Sequence, residues 1–110
     1  MESLDVKDNE PLSEQYYKQG LVWVDLDAAA RMLEETKSIV MAQRQMEYGD
    51  IAVNRSEQLV KGTASWKQHV ESIVNSRTLA NKAKIRLEAL KMRSGEQASY
   101  EANERTMARL

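Results

Sequence analysis

Between Arg77 and Arg93, six cations (Arg77, Lys82, Lys84, Arg86, Lys91 and Arg93) stand against one anion, Glu88. The resulting local charge of +5 sits in a chain whose net charge is -1. Guanidinium and ammonium groups at this density are suited to holding anions. The candidates are nucleic-acid phosphates, an acidic partner, or the acidic N-terminal part of the same chain. At about 100° per residue on a helical wheel, Arg77, Lys84 and Lys91 share one stripe; Lys82, Arg86 and Arg93 share another. Two readings stay open. One is electrostatic contact with a nucleic-acid backbone. The other is a set of solvated cations flanking a coiled-coil seam. An isoelectric point of about 5.9 argues against a dedicated strong DNA binder. An oligomer that aligned several such helices would still make a basic groove.

Other reactive residue types give weaker signals. His69 is the only histidine. A general base needs a substrate proton and an orienting partner within reach, and the spacing around His69 supplies neither. The pairs Asp25/Asp27, Glu34/Glu35 and Glu101/Glu104 could in principle contact Mg²⁺, but they also suit solvated helix faces. There is no cysteine, and so no disulfide or thiolate metal site. No Gly-rich phosphate loop, Gly-x-Ser-x-Gly or zinc spacing is present. Trp23, Tyr48 and Trp66 could stack bases, although both tryptophans fall in apolar patterns that suit core anchoring. Tyr16-Tyr17 fits a partner contact or local packing equally well. These residues predict no enzyme, no cofactor and no metal.

The elements that must position the cations are helical. Of 110 residues, 42% are hydrophobic and 30% charged, with six Met and no Phe. That supply makes a thin core for one small domain, and self-association is the natural remedy. A first helix is predicted from about Val22 to Met46, where Leu26, Leu33 and Val40 recur every seven residues beside Val22, Ala29 and Ala30. Gly49 marks its end. A short helix follows, with Asn54 as N-cap and Glu57 as its capping-box partner, and it stops at Gly62. Thr63 or Ser65 then caps a long helix from Ala64 to at least Arg93. Its inner row is Trp66, Ile73, Ala80 and Leu87, widened by Val70, Ala83 and Leu90. A second row, Val74, Ile85 and Met92, lies well over 100° away. A helix apolar on two sides normally touches two neighbours: the first helix, folded back antiparallel, and another subunit. Beyond Ser94-Gly95 the helix is expected to continue or kink, since one glycine costs about 1 kcal/mol.

Residues 1–15 carry Glu2, Asp5, Asp8, Glu10 and Glu14 against Lys7, a net of -4. They read as an acidic mobile segment over residues 1–20, ahead of a helical hairpin domain over 21–110. The N-terminus lacks the apolar core of a signal peptide. No apolar run approaches the ~18 residues of a transmembrane helix. A cytoplasmic protein is expected.

The stretch from Ala64 to Arg93, preceded by L-D-A-A-A-R-M-L-E-E-T-K, resembles a group of small helical proteins of tailed phages and prophages. The matching positions are Leu26, Asp27, Ala30, Leu33, Glu34, Glu35 and Lys37 in the first helix. In the long helix they are Trp66, His69, Val70, Arg77, Ala80, Asn81, Ala83, Lys84, Leu87, Glu88 and Met92. The likeness spans about residues 24–93. It departs at Ser94-Gly95-Glu96, where those proteins would carry a bulky aromatic. A more distant likeness, in size and in the Lys-rich second helix, is to the UvsY-type recombination mediators of T4-type phages. These are helical hairpins that oligomerise and bind single-stranded DNA. Tyr100 and Glu104 also match a Tyr-x-x-x-Glu spacing found in WXG-type secreted hairpins, but the Trp-x-Gly turn is missing and Gly62 precedes Trp66.

The combined expectation is an all-α antiparallel hairpin of two long helices with a short connecting helix, assembled as a homo-oligomer. Trp66, Ile73, Ile85, Leu87, Leu90 and Met92 would supply the subunit interface. The resemblance implies a non-enzymatic accessory role in phage DNA recombination or replication. Single-stranded DNA, a recombinase or another phage protein would be the partner, and no membrane is involved. The alternative is a structural virion or scaffold component without nucleic-acid affinity.

Overall fold

The heptad rows become three α-helices in the computed structural model, which describes residues 10–109. They are α1 (Leu12–Met46), α2 (Val53–Lys61) and α3 (Ala64–Ala108), and no strand occurs among the described residues. The two long helices pack antiparallel, with α2 in the connection. The architecture is the all-α hairpin expected.

α1 starts ten residues before the predicted Val22. The seven-residue row of Leu26, Leu33 and Val40 extends back through Gln19 to Leu12, and all five are half-buried. Gln15 lies on the same side, at 4% exposure, and its Nε2 donates to the Glu10 carbonyl at 2.7 Å. The Gln15 backbone N–H donates to the Pro11 carbonyl at 3.0 Å and opens the helical ladder. Proline is tolerated there because a helix start needs no N–H from it. Residues 12–20 of the expected mobile segment are therefore helical, and residues 1–9 lie outside the described residues. Gly20 is absorbed within the helix. α1 ends where expected, with Gly49 at φ 73°, the left-handed conformation glycine adopts without strain.

α2 begins one residue before the predicted Asn54 cap. Ala52 occupies the cap position, with no side-chain cap hydrogen bond. The cause is the inward pair Ser56 and Val60, four residues apart and buried to 4% and 1% exposure. Facing them inward fixes the helix phase and moves Asn54 off the cap. The Ser56 hydroxyl donates to the Val53 carbonyl (2.8 Å) and accepts from Gln45 Nε2 (3.1 Å), which ties α2 to α1. Glu57 pairs with Lys61 at 2.8 Å instead of closing a capping box. Of the two candidate caps for α3, Thr63 serves. Its Oγ1 accepts from the Trp66 N–H (3.3 Å) and donates to the Val60 carbonyl (2.7 Å).

The described residues group into two compact units, one of residues 26–80 and one of residues 10–25 with 81–109. In the first unit, Ala30, Val60, Trp66, Ile73 and Ala80 are buried. In the second, Gln15, Ala83 and Leu90 are buried, and a Cβ built on Gly20 would lie 3.9 Å from Leu87 Cδ1. Both cores lean on alanine, whose small side chain lets neighbouring helices approach closely.

Candidate nucleic-acid interface

The six predicted cations do not share one environment. Arg77 is held in unit 26–80 by two carboxylates of α1. Its Nε and one terminal nitrogen donate to the two oxygens of Glu34 at 2.8 and 2.6 Å. The other terminal nitrogen donates to Asp27 Oδ1 at 2.7 Å. Asp27 Oδ2 also accepts from Arg31 Nε at 3.0 Å. A forked contact of this kind is the strongest geometry an arginine–carboxylate pair offers. The hydrogen bond from Arg77 holds the Glu34 carboxyl below its ordinary value. The same bonds, to Glu34 first and then Asp27, push the guanidinium further up. The Arg77 side chain keeps 29% of its exposure, so the network is half-open to water. Its charge is nonetheless spent on the chain's own acids.

Lys82, Lys84, Arg86, Lys91 and Arg93 are all exposed. None makes an ion pair or a side-chain hydrogen bond among the described residues. The sequence explains part of the contrast. Stepping back from Glu34 by sevens gives Asp27, then Gly20 and Ser13, so the carboxylate supply on that edge of α1 stops. The chain's own acidic end was one candidate anion. Glu10 and Arg93 do line one cleft of about 450 Å³, with Gln15 and Tyr100. Yet Glu10 Oε1 accepts from Lys18 Nζ at 2.8 Å, and no bond joins it to Arg93.

The six predicted interface residues divide as well. Trp66, Ile73 and Leu90 are buried within a single chain, and Leu87 is half-buried. Ile85 and Met92 face outward at 65% and 67% exposure. His69 is half-buried one turn from Trp66, with ring centroids 5.9 Å apart. Its Nε2 is buried without a hydrogen-bond partner among the described residues. This is the environment of a packed side chain. Glu34 and Glu35 border an open groove of about 650 Å³ with Met41, Glu57, Lys61 and Trp66. Lys37 and Ser38 line the same groove, and Lys61 there pairs with Glu57 at 2.8 Å. Among the described residues no three His, Cys, Asp or Glu side chains cluster to hold a metal ion. No described helix is long and apolar enough to cross a membrane.

Sequence reasoning missed the Arg77 clamp. Its partners lie 43 and 50 residues away, so helical spacing on either element alone could not disclose it. The available signal was the pair Asp27 and Glu34, seven apart on the inner edge of α1. The chain matches no protein-family model, no curated protein and no solved structure. What fold and site define is a class: an all-α antiparallel hairpin with one closed and one open set of cations.

Proposed function

We propose that this chain is a non-enzymatic accessory protein of phage type in DNA recombination or replication. It binds single-stranded nucleic acid, or a recombinase working on it, through the exposed cations of α3. The observation that carries this reading is the state of Lys82, Lys84, Arg86, Lys91 and Arg93, five exposed charges without carboxylate partners among the described residues. Solvated, flexible cations can neutralise phosphates at little desolvation cost, and each phosphate contact releases counterions. Arg77 is left out of the binding set because Asp27 and Glu34 already occupy its donors.

The test is fluorescence anisotropy of labelled single- and double-stranded oligonucleotides over a salt series. The chain should bind single strands, with affinity falling steeply as salt rises. Lys84→Glu with Lys91→Glu should flatten the log–log salt slope by roughly 1.4, at about 0.7 per lost contact to a single strand. Arg77→Lys should leave the slope unchanged. Affinity and slope that ignore the double reversal would sink the reading.

The second reading is a virion or scaffold component without nucleic-acid affinity. It is favoured by the outward exposure of Ile85 and Met92 on the same stretch of α3. A defined oligomer that fails to bind any oligonucleotide at low salt would choose it.

A further inference from the structure

The outward face of α3 carries a row that reads the same in both directions. Ile85, Met92, Tyr100 and Met107 are 65%, 67%, 62% and 74% exposed. Their spacings are seven, eight and seven residues. At about 100° per residue they fall within an arc of roughly 80°, so they form one stripe. The stripe is roughly 33 Å long at 1.5 Å per residue. Tyr100 and Glu96 border the cleft they share with Glu10, Leu12 and Gln15, yet all four residues of the row stay largely exposed. Apolar rows of this length on a single helix normally meet another helix.

The flanking charges indicate which helix. On one flank of the stripe the residues run Arg86, Arg93, Gln97, Glu104, basic first and acidic last. A parallel copy would set arginine beside arginine and glutamate beside glutamate. An antiparallel copy reverses the order and brings Arg86 to the second copy's Glu104, and Glu104 to its Arg86. Arg93 then meets the second copy's Gln97. The same reversal matches the apolar row. Ile85 falls opposite the second copy's Met107, and Met92 opposite its Tyr100. One residue, Glu96, lies at the two-fold and meets its own counterpart, with the second copy's Arg93 one turn away to offset the like charges.

We infer that the α3 face of Ile85, Met92, Tyr100 and Met107 is an isologous interface for a second copy of this chain, paired antiparallel about Glu96. This stands on the apolar row and its flank and needs no nucleic acid, although it draws Arg86 and Arg93 of the proposed phosphate-binding set into the interface. Lys84 and Lys91 lie on the far side of the helix from the stripe and stay open in the pair.

The absence of cysteine makes the pairing directly testable. All substituted positions are exposed, and circular dichroism of each variant confirms the helix content. Under mild oxidant, Glu96→Cys should yield a disulfide-linked dimer. Ile85→Cys alone should stay monomeric on a denaturing gel, whereas Ile85→Cys mixed with Met107→Cys should cross-link. Light scattering should show Met92→Glu weakening self-association at least tenfold. Lys84→Glu with Lys91→Glu should leave the cross-linking intact, so failure of the nucleic-acid reading leaves this one standing. A wild-type chain that stays monomeric, or Ile85→Cys cross-linking to itself as well as to Met107→Cys, would overturn the inference.

Discussion

Two lengths of α3 are held by different physics. From Trp66 to Leu90 a residue is buried or half-buried at every third or fourth step: Trp66, His69, Ile73, Ser76, Ala80, Ala83, Leu87 and Leu90. From Lys91 to Arg109 every residue is exposed. The same three-and-four alternation would continue at Ser94, Gln97, Glu101 and Glu104, all polar. The first length is helical because its seam is covered. The second has only local propensity from Ala98, Ala102 and Glu, Gln and Arg side chains, and isolated helices of this length are marginal in water. A marginal helix that displays an apolar row is the kind of element a partner completes.

The contrast can be broken with substitutions on either side of Leu90. Leu90→Ala removes a buried side chain and should cost about 3 kcal/mol in urea unfolding, whereas Gln97→Ala, on the same seam, should change stability by less than about 0.5 kcal/mol. An equal cost at both positions would mean that the second length is packed after all. Next in size, Ala80→Leu should destabilise by about 2 kcal/mol, because a fully buried alanine leaves no room for three more carbons. Ala98→Leu should be neutral or mildly favourable by the same measurement. Gly95→Ala comes third. A Cβ there meets nothing within 4 Å, so the substitution should gain about 0.5–1 kcal/mol of local helix stability. Hydrogen exchange of the amides from Glu96 to Arg105 should slow several-fold, while exchange near Ala80 stays as it was.

The smallest effect concerns Glu34. Its carboxyl is held below the ordinary value of 4.5 by the hydrogen bond from Arg77. A depressed folded-state value means the stabilisation is complete above the unfolded value, from about pH 5 upward. It is lost as pH falls through the lower folded value. Thermal unfolding of wild type should therefore drop more steeply between neutral and acid pH than that of Glu34→Gln. Parallel curves would show that the pair contributes nothing, as many half-exposed ion pairs do.

The sequence made some features legible and hid others, for physical reasons. The row Trp66, Ile73, Ala80, Leu87 could be read because heptad spacing is a property of one helix, and Gly49 because a left-handed turn needs a glycine. The first ten residues of α1 were hidden by Gln15 and Gln19, polar side chains at inner positions that interrupt the apolar pattern while the helix runs on. Asn54 and Glu57 matched a capping box in spacing, but the inward pair Ser56 and Val60 outweighed them. The six cations were legible as a cluster. The separation of Arg77 from the other five was not, because it depends on what a different helix places beside each one.

The clamp on Arg77 has a further consequence. Alanine-lined seams are nearly featureless, so two helices sharing one could slide by a heptad and bury much the same surface. Asp27 and Glu34 stand one heptad apart, and Arg77 engages both. Sliding one way would offer it Gly20 and Asp27, and sliding the other way Glu34 and Met41; either shift forfeits one of its two carboxylates. The arginine thus acts as a detent, choosing one alignment among several that the alanines alone would accept.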